Sequence, residues 1–319
     1  MSVHNCSRGV RLWRELRGPP VSEQLAAELV RLRAEDLALA LAPTLAGGVA
    51  ALTWRGIDIL RPADDQTLKS RNPLGLASFP LVPFSGRLAA GRFEFGGRVV
   101  TLSPTNQGHA IHGQGWQGIW QCNVQSAHAA KLSFDHPAGE WPWAYRAEQS
   151  FELRQNRLTQ TLRIENLADT PMPAGLGVHP YFPRTADMQL RARIDGYFPN
   201  DAAMLPTTRT IKPTVWDWTD GKLVNPPIDH QFTGWNGHAE IWWPSRGVHA
   251  AMTTQPPMNY LVVYAPSDHD FVCVEPVSHA NNALNRSPEG AHDGIKILAP
   301  GQQMAICVTL VINPLNSGE

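Results

Sequence analysis

The chain has 319 residues, room for one large domain or two ordinary ones, and enough to bury about three quarters of its unfolded surface without a disulfide or metal staple. Charged residues make up only 17% against roughly 25% in an average domain, and 26 Gly, 27 Pro and 11 Trp favour turns and strands over helices, whose exposed faces need Lys and Glu. A formal net charge of −1 offers no basic face for nucleic acid, and no apolar run reaches the roughly 18 residues of a membrane helix.

The first twenty residues, MSVHNCSRGVRLWRELRGPP, lack the apolar core of a secretory signal. They place Arg8, Arg11, Arg14 and Arg17 at three-residue intervals. Residues 1–27 read as a flexible or helical extension, with organelle targeting as a minor alternative. Residues 28–41 then read as two strands bent at Glu35-Asp36, and 92–102 as a hairpin around Gly96-Gly97. In 145–165, apolar Phe151, Leu153, Leu158, Leu162 and Ile164 alternate with polar neighbours on either side of Gln155-Asn156, a hairpin with one face in a core and one in water. Further strands are predicted at 238–243, 248–254, 259–264, 271–275 and 304–312. No linker or repeat divides residues 28–319, so the expected fold is all-β, a large antiparallel sandwich in a single domain.

The chemistry has to be sought outside the common signatures, because GxxxxGK[ST], GxGxxG, HExxH and GxSxG are all absent. Cys6, Cys122, Cys273 and Cys307 form no CxxC pair, which argues against structural zinc and a disulfide framework and suits a cytoplasmic protein with free thiols. Of twelve histidines, His109 and His112 come nearest to a ligand pair, and three residues apart on a loop is weak spacing for a metal. Four loop segments rich in aromatic, Gly or Pro residues remain: 80–88, 106–120, 175–183 and 271–282. In the last, Glu275 ends an apolar strand before Pro276; partial desolvation would raise its pKa and suit it to proton transfer, unless it simply leaves the sheet for water. His179, between Val178 and Pro180 and followed by Tyr181, is a candidate general acid near neutral pH or a core histidine with one bond satisfied. His112 lies in a glycine-rich loop that lets backbone approach a ligand, and Arg87 offers a forked donor to hydroxyls or a carboxylate; a turn histidine and an exposed strand-end arginine are the plainer alternatives.

Taken in order, these segments resemble the aldose 1-epimerase (galactose mutarotase) family over about residues 28–314. The matching features are Gly86-Arg87, where the family usually has Asn before the arginine; His112-Gly113 through Trp120; His179-Pro180-Tyr181-Phe182; Val274-Glu275-Pro276; PIDHQFTGW at 227–235; and LAPGQ at 298–302. The resemblance implies a galactose mutarotase-like supersandwich that interconverts the α and β anomers of a free aldose without metal or nucleotide. It implies Glu275 as the base at the C1 hydroxyl and His179 as the acid at the ring oxygen. It also implies His112 and Arg87 as hydrogen-bonding groups near O5 and O1, and Asp229 as a ligand of ring hydroxyls. The run G-V-H-P-Y-F, in place of the T-N-H-x-Y-F of galactose mutarotases proper, leaves the sugar open. Trp116, Trp120, Tyr181 and Trp235 are candidate sugar platforms or ordinary packing.

The expected partner is therefore a monosaccharide, the chain acting as a monomer or homodimer without cofactor. Two alternatives are a hexose 6-phosphate epimerase, with Arg71, Arg87 and Arg184 as rim cations, and a catalytically silent carbohydrate-binding sandwich. Retention of both Glu275 and His179 counts against the second.

Overall fold

Long alternating segments build the first of two large sheets in the computed structural model, which describes residues 27–286 and 293–315. Tyr145–Arg154 buries every second residue, and so does Arg157–Asn166; the two pair antiparallel across a turn at Gln155, whose φ is +54°. Around this hairpin the nine-stranded antiparallel sheet runs in the order Gln121–Ser126, Ala129–His136, Tyr145–Arg154, Arg157–Asn166, Gln303–Pro314, Val248–Gln255, His238–Trp243, Gln189–Ala192 and Lys222–Leu223. The predicted Gly96-Gly97 hairpin forms too, both glycines at the positive φ that a tight right-twisting turn requires. The N-terminal extension lies, apart from Ala27, outside the described residues. No helix among those described is long and apolar enough to cross a membrane.

The second sheet carries the site. Seven of its eight strands follow the order Thr210–Ile211, Gly196–Phe198, Ile228–Thr233, Tyr260–Ala265, Phe271–Val277, Gly177–Val178 and Pro80–Leu81, and Tyr181–Pro183 also pairs with Phe271–Val277. All seven residues of Phe271–Val277 are buried, so both faces of this strand meet protein. Val272 and Val274 enter the main core, whereas Phe271, Cys273 and Val277 join a second apolar cluster on the opposite face. Glu275 shares that opposite face. The strand runs two residues past Glu275, so the carboxyl sits inside the sheet rather than at its end.

The two sheets meet behind His179, where Val178 and Pro180 share a small void with Leu158, Met252 and Leu310 of the nine-stranded sheet. A four-stranded sheet spanning Val30–Leu60 flanks them and is tied on by the Val49 N–H to Ser78 carbonyl bond of 2.8 Å. Its first two strands, Val30–Ala34 and Leu37–Ala42, meet at the predicted bend.

One loop needs left-handed backbone twice in succession, at His112 (φ +63°) and Gly113 (φ +69°). A Cβ on Gly113 would stand 2.3 Å from the Val82 carbonyl oxygen, a backbone atom that cannot step aside. Gly113→Ala should therefore destabilise the fold by more than about 1 kcal/mol, visible as a melting temperature lower by several degrees. An unchanged melting temperature would show that the loop is looser than its geometry.

Candidate active site

A cleft of about 630 Å³ opens on the face of the second sheet that carries Glu275, a size suited to a small ligand. All five residues singled out from the sequence, Arg87, His112, His179, Asp229 and Glu275, line it. They arrive from separate elements. Glu275 stands on the central strand, and Asp229 comes from the strand Ile228–Thr233, opposite Tyr264. His179 occupies the break between Gly177–Val178 and Tyr181–Pro183. Both of those segments pair with the Glu275 strand in one register, Gly177 opposite Val277 and Tyr181 opposite Cys273, so His179 falls opposite Glu275.

Register alone thus brings imidazole and carboxyl together. His179 Nε2 lies 3.3 Å from Glu275 Oε1, and both residues are buried, at 7% and 3% exposure. The imidazole stacks on Tyr181 at 4.6 Å and 18°, with Phe79 at 4.6 Å on a tilt. Its backbone N–H donates to the Phe79 carbonyl at 3.0 Å, and Pro180 has no N–H to place. The ring is thereby clamped, and its Nδ1 has no hydrogen-bond partner among the described residues.

Burial decides the charges. The Glu275 carboxyl is pushed well above its ordinary range by desolvation, helped by the nearby Asp229 and opposed by Arg87. Desolvation drives His179 down to about 3. Both shifts favour the uncharged forms, and for His179 this runs against the expectation of an acid titrating near pH 7. Asp229 is also raised by desolvation, with Arg87 and His230 pulling the other way.

His112 is fixed by a reciprocal pair of bonds. Its N–H donates to the Gly86 carbonyl at 3.1 Å, and the Gly86 N–H donates to His112 Nδ1 at 3.0 Å. Nδ1 is thus an acceptor, and the ring proton is assigned to Nε2. Desolvation, with His179 and Arg87 nearby, lowers its pKa well below 6.5, so it is a neutral donor. Arg87 pairs with Ile111 in a separate two-stranded sheet, and its Nε is buried without a partner among the described residues.

Of the candidate platforms, Trp116 and Tyr181 line the cleft; Trp120 and Trp235 belong to the main core, their N–H groups spent on the carbonyls of Gly115 and His238. Of the candidate rim cations, only Arg87 lines the cleft. The Arg71 guanidinium turns to the Thr44 carbonyl, and that of Arg184 to the carbonyls of Pro266 and His269.

Sequence reasoning missed Arg61, whose guanidinium lies 4.1 Å over Tyr181 and 4.7 Å over Phe271 while its Nη2 donates to the carbonyls of Leu74 and Leu76. It also missed Tyr264, Asn281 and His269, which line the same cleft. Cys273 was read only as a free thiol. Its sulfur and the donor atoms of His179 and Glu275 all lie within 4.8 Å of one another, making these, rather than His109 and His112, the nearest metal-ligand set among the described residues. Burial holds that thiol well above its usual range, protonated, which disfavours ligation.

Comparison with known proteins gives this geometry a family. A sequence model described as aldose 1-epimerase matches residues 28–309. The chain belongs to the aldose 1-epimerase family. It is 34% identical over 268 residues to the uncharacterized protein YphB of Escherichia coli strain K12, covering 80% of this chain and 89% of that one. It is 27% identical over 157 residues to the Escherichia coli aldose 1-epimerase, 44% of each. The crystal structure of a putative aldose 1-epimerase from Escherichia coli superposes with a TM-score of 0.83 at 30% identity, covering 90% of this chain and 99% of that one. A galactose mutarotase-like protein from Clostridium acetobutylicum shares the fold, with a TM-score of 0.82 at 20% identity and coverage of 90% and 95%. The antiparallel supersandwich expected from the sequence is the fold of this family member.

Keeping histidines neutral has a cost in acid. His112, His179 (about 3) and His279 (about 4) stay unprotonated in the fold, whereas the unfolded chain protonates them below about 6.5. The unfolded state then binds more protons, so stability falls as pH falls. Glu275 and Asp229, raised in the fold, act the opposite way, their contribution fading as pH rises above the ordinary carboxyl range. His136 and His230 are lowered by desolvation in the same way, so five histidines act against the two carboxyls, and acidification from pH 7 to 5 lowers stability. His279→Gln should shrink the difference in unfolding free energy between pH 7 and 5 by about 1–2 kcal/mol. Denaturant titrations at the two pH values check this, and an unchanged difference would mean that His279 is not held neutral.

Proposed function

We propose that the protein is an aldose 1-epimerase acting on an unphosphorylated monosaccharide, with Glu275 and His179 as its proton-transfer pair. One observation carries this reading: a carboxyl and an imidazole face each other at 3.3 Å, buried, on the floor of a cleft walled by Trp116, Tyr181 and Tyr264. Ring opening requires one proton off O1 and one proton onto O5, which is what a pair sharing a single proton supplies.

In the empty cleft the proton rests on Glu275. Transfer to His179 gives carboxylate and imidazolium, the form that the sugar selects, because its O1–H donates to a carboxylate and its O5 accepts from an imidazolium. The pair is slightly long for transfer, as is common before substrate tightens a site. Glu275 takes the O1 proton, the C1–O1 bond becomes a carbonyl, the C1–O5 bond breaks and His179 protonates O5. Rotation about C1–C2 presents the other carbonyl face, and the reverse transfers close the ring as the other anomer. The neutral Nε2–H of His112 and the Arg87 guanidinium supply donors for charge building on oxygen, and Asp229 accepts from ring hydroxyls. Aromatic walls cover the sugar's C–H faces.

The placement of the cations supports an unphosphorylated substrate. Arg71 and Arg184 are turned away, and one nitrogen of Arg61 is spent on two carbonyls.

Magnetisation-exchange NMR on the anomeric protons of glucose, galactose, xylose, arabinose and glucose 6-phosphate tests the proposal. Acceleration of at least one neutral sugar is expected, and Glu275→Gln should slow it by about 10²–10⁴-fold while sugar affinity stays within a few-fold. Exchange that persists in that variant would remove Glu275 as the base, and acceleration confined to glucose 6-phosphate would overturn the neutral substrate.

A further inference from the structure

The segment His279–Asn282 turns the chain beside the cleft, and its bonds leave one side chain over. His279 Nε2 accepts from the Ser85 N–H at 2.9 Å, and Asn282 Oδ1 accepts from the Ala89 N–H at 3.0 Å. The Asn282 N–H donates to the Arg87 carbonyl at 2.9 Å. Gln231, itself 2% exposed, braces the turn from the neighbouring strand by donating to the His279 carbonyl at 2.9 Å and accepting from the Asn281 N–H at 2.7 Å. The corner is thus stitched to the loop bearing Arg87 without any use of the Asn281 side chain. Its Oδ1 is a buried acceptor with no partner among the described residues, and Asn281 lines the cleft with Arg87, Asp229 and Glu275.

The place that this carboxamide fills exists because residue 86 has no side chain. A Cβ on Gly86 would lie 1.8 Å from Asn281 Oδ1 and 2.5 Å from its Cγ. A side chain at residue 86 would thus force the Asn281 carboxamide to move from the place it now holds. A buried, unanswered acceptor is costly, and the buried polar groups of native proteins are nearly always satisfied. A rigid backbone that holds such an acceptor at a ligand cleft is prepared for a hydroxyl.

Resting on the proposed epimerase function, we infer that Asn281 is a specificity-determining residue: its carboxamide, admitted by Gly86, accepts a hydrogen bond from one ring hydroxyl of the aldose and so decides which sugar is taken. The readout is kcat/KM for anomer exchange on the best neutral sugar and on its monodeoxy analogues. Asn281→Ala should cost at least tenfold on the parent sugar. The gap should vanish for the one analogue lacking the hydroxyl that Asn281 reads and persist for the others. Asn281→Ser serves the same comparison should the alanine variant melt early. Gly86→Asn alone should abolish activity by collision, and the exchange G86N/N281G should recover at least tenfold of that loss, since Asn tolerates the left-handed φ of +67° at position 86.

A wild-type protein that accelerates no aldose removes the proposed function itself. A wild type that does so while Asn281→Ala runs unchanged, or is slowed equally on the parent and every analogue, overturns this inference alone.

Discussion

The site depends on the placement of two ionisable groups opposite each other inside a sheet. Water would leave Glu275 charged and His179 half-titrated near neutrality; burial to 3% and 7% exposure removes the solvation of both charges and so favours a carboxylic acid beside a neutral imidazole. A charge-neutral pair with one mobile proton can be buried at tolerable cost. It can also serve as acid and base together without a cofactor. The alternative, a permanent buried ion pair, would have to offset several kcal/mol of desolvation per ion.

The rest of the architecture keeps that placement. One antiparallel register on both sides of the Val178–Tyr181 break puts His179 opposite Glu275, and Phe79 and Tyr181 hold the ring from its sides. Two further strands bring Asp229 and Tyr264 to the same face. The left-handed step at His112-Gly113 and the corner at His279–Asn282 both bond to residues 85–89, so the loop carrying Arg87 is held from two directions. The residues of the candidate site sit on strand interiors and braced corners. That suits a reaction whose reacting oxygens must meet two groups at once.

Much of this was legible in the sequence, and what was not has a physical reason. The hairpin at residues 145–165 announced itself by alternation, because it has one solvated face. Gly177–Val178, Tyr181–Pro183 and Gly196–Phe198 are two or three residues long and surrounded by Pro or Gly, too short for any period to show. All five candidate residues reached the cleft: a carboxyl on an apolar run, histidines beside Gly or Pro and an arginine after Ser85-Gly86 are local features, and Asp229 came from the family resemblance. The pKa of His179 was misjudged because neighbours supply its burial from distant parts of the chain. Asn281 and Arg61 escaped for a similar reason: one depends on an absent side chain 195 positions away, the other on carbonyls of a loop packed against it. Trp120 and Trp235 show the converse, aromatic residues beside site motifs whose rings turn into the core.

The protonation of Glu275 at neutral pH tests this account most directly. A difference infrared spectrum between wild-type protein and Glu275→Gln at pH 7 isolates its carboxyl band. The account predicts the C=O stretch of a protonated acid in an apolar setting, replaced on sugar binding by a carboxylate band as the proton moves to His179. A carboxylate band in the empty protein at pH 7, with an imidazolium signal from His179, would contradict it.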